Sequence, residues 1–153
     1  MIIVNVRINP EIKGKITLPT KPQFKKWVSL ALRNRRINAE VTLRITDENE
    51  IQRLNQQFRD KNKTTNVLSF PHEPFEHETE SDYLGDIVLC APVIEQEATE
   101  QKKDQIAHWA HLTIHGVLHL LDYDHETDED AEIMEQIETD LLMELNYDNP
   151  YDI

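Results

Sequence analysis

The stretch Asp104–Thr127, DQIAHWAHLTIHGVLHLLDYDHET, decides how this chain is read. Asp104 is suited to cap a helix, because its carboxylate can accept from the orphan backbone N–H groups of a first turn. That helix is expected to reach Leu121, residues 122–126 to turn, and Thr127 to cap a last helix. His115 and His119 stand four apart on the first of these helices. The spacing stacks two imidazoles on one face, about 6 Å apart along the axis, a separation one metal ion can bridge. A third ligand must come from outside that helix. The chain supplies His125 after Asp122-Tyr123-Asp124 has let it turn back. Three neutral nitrogens in the pattern H-x3-H-x5-H suit one zinc ion per chain. They leave a fourth position for water, the arrangement of a catalytic site rather than a structural one. Zinc lowers the pKa of such a water to about 7.

The other histidines read differently. His108 shares a helical stripe with the pair but lies roughly 16 Å from His119 along the axis, too far for a shared ion. His111 can pair with His115, but that pair lacks His125 as a third partner. Both are read as packing residues or as support behind the ligands. His72 and His77 fall in an acidic loop and receive no role. The ligand spacing resembles the metzincin peptidase pattern H-E-x-x-H-x-x-G-x-x-H, with two differences. Gly116 replaces the glutamate base, which argues against peptide hydrolysis by that route, and is read as opening space beside the metal. Asp122 replaces the turn glycine. Aspartate tolerates left-handed backbone better than most residues, so the turn is feasible.

Working outward, the rest of the chain alternates between strand and helix signals. Ile2, Val4, Val6 and Ile8 share one face of a first strand. Residues 21–36 have helical spacing through Phe24, Trp27, Val28 and Ala31. Residues 41–45 form a second strand. Asp47 and Glu50 predict a capping box on a helix with Ile51, Leu54 and Phe58 on its apolar side. Residues 59–66 are a polar loop, 67–70 a short strand stopped by Pro71, and 71–83 an acidic loop containing Pro74. Leu84 to Cys90 is an apolar strand, followed by a short helix over about 92–101. The last helix turns Ile133, Met134, Ile137, Leu141 and Leu145 to the core. About four strands and five helices in mixed order give the α+β class in a single compact domain, with a mixed sheet flanked by the helices.

Composition narrows the function. The chain has 153 residues, 39% of them hydrophobic, enough for one core. No apolar run approaches the roughly 20 residues that span a bilayer, so no membrane role is expected. The start, MIIVNVRINP, lacks a basic segment and a small-residue cleavage site, so it does not read as a signal peptide. The single cysteine, Cys90, is expected to be a buried, inert thiol, as suits a reducing cytoplasm. Net charge is −13, but it is unevenly spread. Residues 1–63 carry 14 Lys and Arg against 6 Asp and Glu, whereas residues 64–153 carry 2 against 23. Such asymmetry fits a nucleic-acid surface on one side of an acidic molecule, or simply two solvated faces.

The segment His115-Gly116-Val117-Leu118-His119-Leu120-Leu121-Asp122-Tyr123-Asp124-His125 closely resembles the H-G-x-L-H-L-x-G-Y-D-H signature of the YbeY family. These are metal-dependent endoribonucleases that act as bacterial rRNA maturation factors. The one departure is Asp122 for glycine. Residues 54–71, LNQQFRDKNKTTNVLSFP, resemble the family's loop-and-strand segment, and Leu84-Gly85-Asp86-Ile87 its L-G-D-I strand. The resemblance implies a mixed four-stranded sheet flanked by helices. It also implies a cytoplasmic zinc enzyme cutting single-stranded RNA, in maturation of the 3′ end of small-subunit (16S) rRNA and in ribosome quality control, with the small ribosomal subunit as partner. It places Arg59 beside His115 as a catalytic residue, its guanidinium stabilising charge on the phosphoryl group. Lys61 and Lys63 are candidate phosphate contacts. Asp86 and Asp124 are candidates for the general base, or for orienting a ligand histidine through its second nitrogen. Two readings of other classes stay open: a zinc metallopeptidase, and a non-catalytic ribosome-assembly factor with a structural zinc.

Overall fold

Alternating apolar residues and well-capped helices build the architecture. The structure, a computed structural model, describes residues 1–73 and 82–152. The elements run β1 (Ile2–Ile8), α1 (Lys21–Leu32), β2 (Ala39–Thr46), α2 (Glu48–Arg59), β3 (Val67–Pro71), β4 (Tyr83–Cys90), α3 (Ala91–Glu100), α4 (Gln105–Leu120) and α5 (Asp128–Glu144). Four strands form one mixed sheet in the order β1-β2-β4-β3. β1 and β4 flank β2 in parallel, and β3 pairs antiparallel with β4. The α+β class and the mixed four-stranded sheet with five helices therefore hold, in a single compact domain. Most of the acidic loop expected over 71–83, with Pro74 and His77, lies outside the described residues.

The main core lies on one face of the sheet. Val4, Val41, Leu43, Ile45, Ile87 and Leu89 meet Phe24, Trp27 and Val28 of α1, Trp109, Ile114 and Leu118 of α4, and Met134 and Leu142 of α5. Phe24 makes edge-to-face contacts with Trp27 and Trp109 at ring centroids of 5.5 and 5.9 Å. Each such pair contributes about 0.5–1.5 kcal/mol beyond its area. α4 is buried on nearly every side, including His108 and His111, because it runs through the middle of this layer. α2 covers the opposite face with a smaller cluster, where Ile51 meets Leu68, Val88 and Cys90. The alternation of β4 decides which residue serves which layer. Ile87 and Leu89 face the main core, while Val88 and Cys90 face α2.

Several local expectations change. α1 ends at Leu32 rather than residue 36, because Asn34 takes φ 64° and the amides of Arg35 and Arg36 both turn back onto the Leu32 carbonyl. Thr20 and Gln23 make a reciprocal capping box there. On α2, Asp47 caps the Glu50 amide as expected. The Glu50 carboxylate does not reach back to the cap, however. It takes two hydrogen bonds from Arg44, at 2.9 and 3.0 Å, and one from Asn9 at 3.3 Å. Phe58 is 56% exposed, lying edge-on to Phe70, and Ile133 is 49% exposed, so neither joins the core.

Candidate metal centre

The site begins with how α4 ends. Asp104 caps its start through the Ala107 amide. At its far end Asp122 adopts φ 71°, the left-handed geometry expected of that position. The Asp122 amide bonds the His119 carbonyl and the Tyr123 amide reaches back to Leu118, the paired bonds of a Schellman stop. This reversal returns His125 to the histidine face. The ring centroids lie 4.6 Å apart for His115 and His119, 5.6 Å for His115 and His125, and 5.1 Å for His119 and His125. One ligand nitrogen from each lies within 4.8 Å of the others. The Nε2 atoms of His115 and His119 face each other at 3.0 Å.

The chemistry of this donor set fits a cation. Two neutral imidazole nitrogens that close repel unless a proton or an ion sits between them. Burial, with His115 and His125 alongside, pushes His119 down to about 4. His119 is then neutral at pH 7, with a lone pair to offer. Three nitrogens match zinc better than magnesium or calcium, which take oxygen ligands.

Behind the three histidines stands a carboxylate that sequence reasoning missed. Glu138 of α5 is fully buried. Its Oε1 lies 2.5 Å from Nδ1 of His115, and its Oε2 accepts from Nε2 of His111 at 3.1 Å and from the Tyr151 hydroxyl. Burial alone would raise its pKa, but the hydrogen bonds from His111 and His115 win and hold it at about 2. Burial and the same carboxylate push the Tyr151 hydroxyl well above its ordinary value. A signal for Glu138 was present: it falls on the apolar stripe of α5, four residues after Met134 and three before Leu141, where a lone acid needs partners. His111 stands behind His115 through Glu138, and His108 is buried and packs elsewhere, the two kinds of role expected of them. His108 pairs through Nε2 with Glu97 at 3.0 Å, and Asn66 also binds Glu97.

The remaining candidates separate. Arg59 ends α2, and one of its guanidinium nitrogens donates to the Ser69 carbonyl at 2.6 Å while its head lies over the Phe70 ring. Ser69 in turn donates its hydroxyl to the Gly116 carbonyl at 3.0 Å. That relay ties Arg59 to the residue following His115. Lys61 and Lys63 are exposed beyond it. Asp124 sits on the ligand turn and accepts from the Glu126 amide. Asp86 points to the α2 side of the sheet, opposite Ile87, and its carboxylate accepts from Tyr83. The structure brings it to none of the three histidines; the carboxylate that contacts one of them is Glu138. Gly116 also needs correcting. It opens no space at the metal, because a Cβ built there meets Ile87 Cγ2 at 2.8 Å. The missing side chain lets α4 lie close against β4.

A family model described as Endoribonuclease YbeY matches residues 9–146. The chain belongs to the YbeY family. The Endoribonuclease YbeY of Pseudomonas savastanoi pv. phaseolicola (strain 1448A / Race 6) is 46% identical over 146 residues, which cover 95% of this chain and 88% of that one. A solution structure from Thermotoga maritima is 26% identical, covers 95% of this chain and 92% of its own, and superposes with a TM-score of 0.59. The YbeY match takes in Arg59, the three histidines and Glu138, and stops before Tyr151.

Proposed function

We propose that the chain is a zinc-dependent endoribonuclease that cuts single-stranded RNA and matures the 3′ end of small-subunit (16S) rRNA in the cytoplasm, with a part in ribosome quality control. Membership of the YbeY family supports the RNA substrate. The observation that carries the metal reading is the convergence of His115, His119 and His125 where α4 reverses. Zinc held there supplies Lewis acidity toward a phosphoryl oxygen and acidifies water.

The chain's own residues do the rest. His115, His119 and His125 would hold the ion through one ring nitrogen each. Arg59 aims charge and a planar fork of N–H donors at the phosphate, where negative charge builds as the bond breaks. Its bond to Ser69 fixes where that fork lies. Lys61 and Lys63 contact neighbouring phosphates and guide a flexible strand in. An unpaired strand can present its phosphates to such a site, whereas an A-form duplex holds them away. Of the two aspartates, Asp124, in the turn between His119 and His125, is the candidate we keep for moving a proton there. A metallopeptidase is disfavoured because position 116 is glycine, with no carboxylate to act as the base that mechanism needs.

The test measures metal content and cleavage on the same purified sample. The parent should hold about one zinc per chain and cut single-stranded RNA until chelated. His119→Ala should lose most of both. Equal metal in mutant and parent sinks the ligand assignment. Zinc that stays bound without any RNA cleavage identifies the structural-zinc assembly factor instead.

A further inference from the structure

We infer that Glu138, braced by Tyr151, is the positioning residue of the metal centre: it fixes the tautomer of His115 and aims its Nε2 at the ion. The inference rests on the zinc reading above and assigns a task to residues outside the ligand set.

The argument starts from what a buried carboxylate can do. Ionised, it only accepts, so every nitrogen or hydroxyl facing it must carry a proton. His115 Nδ1, 2.5 Å from Oε1, is therefore the protonated nitrogen of that ring. A neutral imidazole with its proton on Nδ1 keeps its lone pair on Nε2, the atom that faces His119 Nε2 at 3.0 Å. The carboxylate thus selects which His115 nitrogen can bind metal. It also makes that nitrogen more basic, the usual effect of a carboxylate behind a metal-binding histidine. Glu138 can do this only if it cannot rotate. His111 and the Tyr151 hydroxyl both bind Oε2, which leaves Oε1 to His115. His111 also lies 3.3 Å from the Tyr151 oxygen, which closes the cluster. Tyr151 lies beyond the end of α5, so the C-terminal segment becomes part of the metal site. Among the described residues, no carboxylate contact is seen behind His119 or His125, so His115 is the ligand whose direction Glu138 controls. The atoms of His111, His115 and Glu138 could alternatively take an ion of their own, and stoichiometry separates the two cases.

The experiment uses histidine labelled with 15N in the parent, Glu138→Gln and Tyr151→Phe. Zinc affinity is measured by chelator competition and unfolding by calorimetry of the metal-free proteins. The parent should show the His115 proton on Nδ1. Glu138→Gln should weaken zinc roughly 10- to 100-fold, and its His115 should exchange between tautomers. Tyr151→Phe should weaken zinc in the same direction by a smaller factor, with unfolding close to the parent's. If Glu138→Gln does not fold, the parent tautomer and Tyr151→Phe decide alone. A parent proton on Nε2, or zinc affinity unchanged in the folded variants, overturns the inference. So does a parent that binds two zinc ions and a Glu138→Gln that binds one. A merely structural Glu138 would lower stability and leave zinc affinity of the folded protein alone. A parent that binds no zinc fails the metal reading itself, a result distinct from all of these.

Discussion

Arg59 and Asp122 are the single residues whose replacement says most. Arg59 is exposed at the end of α2, so truncating it removes little packing. Arg59→Ala should lower single-turnover RNA cleavage about 100- to 1000-fold, the cost of losing one donor aimed at developing charge, with zinc content unchanged. Arg59→Lys should recover only part, since it keeps the charge and loses the fork. Cleavage by Arg59→Ala at the parent rate would make Arg59 an ordinary loop residue. Asp122 is a different case. At φ 71° a side chain strains the backbone by up to roughly 1–2 kcal/mol. Asp122→Gly should therefore raise stability by about 1 kcal/mol in urea unfolding. A loss of stability would show that the carboxylate does something in the turn beyond tolerating it. The demand for left-handed backbone here was legible from the metzincin-like pattern, which has glycine at this position where the chain must reverse after the helix.

At the scale of elements, capping residues were the most readable feature. Asp47, Asp104 and Thr127 each cap the helix assigned to them. What could not be read was where long-range partners go. Glu50 looked like half of a local box, yet Arg44 on the neighbouring strand outcompetes the cap with two charge-assisted bonds. Glu138 meets His115 across 23 residues only because α5 packs against α4, and no spacing rule encodes that contact. Asp86 was a candidate base or support for a ligand histidine within its motif, and strand alternation puts it on the other face from Ile87. The Glu50 bridge also makes a pH-dependent contribution. Its hydrogen bonds with Arg44 hold the folded carboxyl below the ordinary 4.5, outweighing burial. The contribution is therefore complete above pH 4.5 and is lost as pH falls through the lowered folded value. Glu50→Gln should unfold in less urea than the parent at pH 7, and the gap should close on acidification below pH 4.5. A gap that widens in acid would contradict the direction.

Across the whole molecule, charge and edges decide what the protein meets. The basic N-terminal portion is partly spent on internal pairs, Arg33 with Glu144 and Arg44 with Glu50. Arg59, Lys61 and Lys63, which take no part in those pairs, are the cations proposed to meet phosphate. Three contacts to a single strand predict that the logarithm of affinity falls with the logarithm of salt at a slope of roughly −2. A filter-binding series over salt concentration measures it, and a slope near zero would remove these residues from the interface. No helix among the described residues is long and apolar enough to cross a membrane. The chain's fold was legible because its amphipathic pattern is regular. At the centre, the convergence of the three histidines was legible and the groups behind them were not, since those come together through packing. One feature reaches past catalysis. β3 is an edge strand, and its ladder bonds at Cys90–Asn66 and His72–Leu84 turn the backbone of Ser69 and Pro71 outward. Pro71 has no N–H to offer there, and Arg59 already occupies the Ser69 carbonyl. A foreign strand seeking to zip onto this rim finds the template blunted. The arginine proposed to meet phosphate is thus also expected to help keep this rim unpaired, and light scattering of Arg59→Ala against the parent checks it.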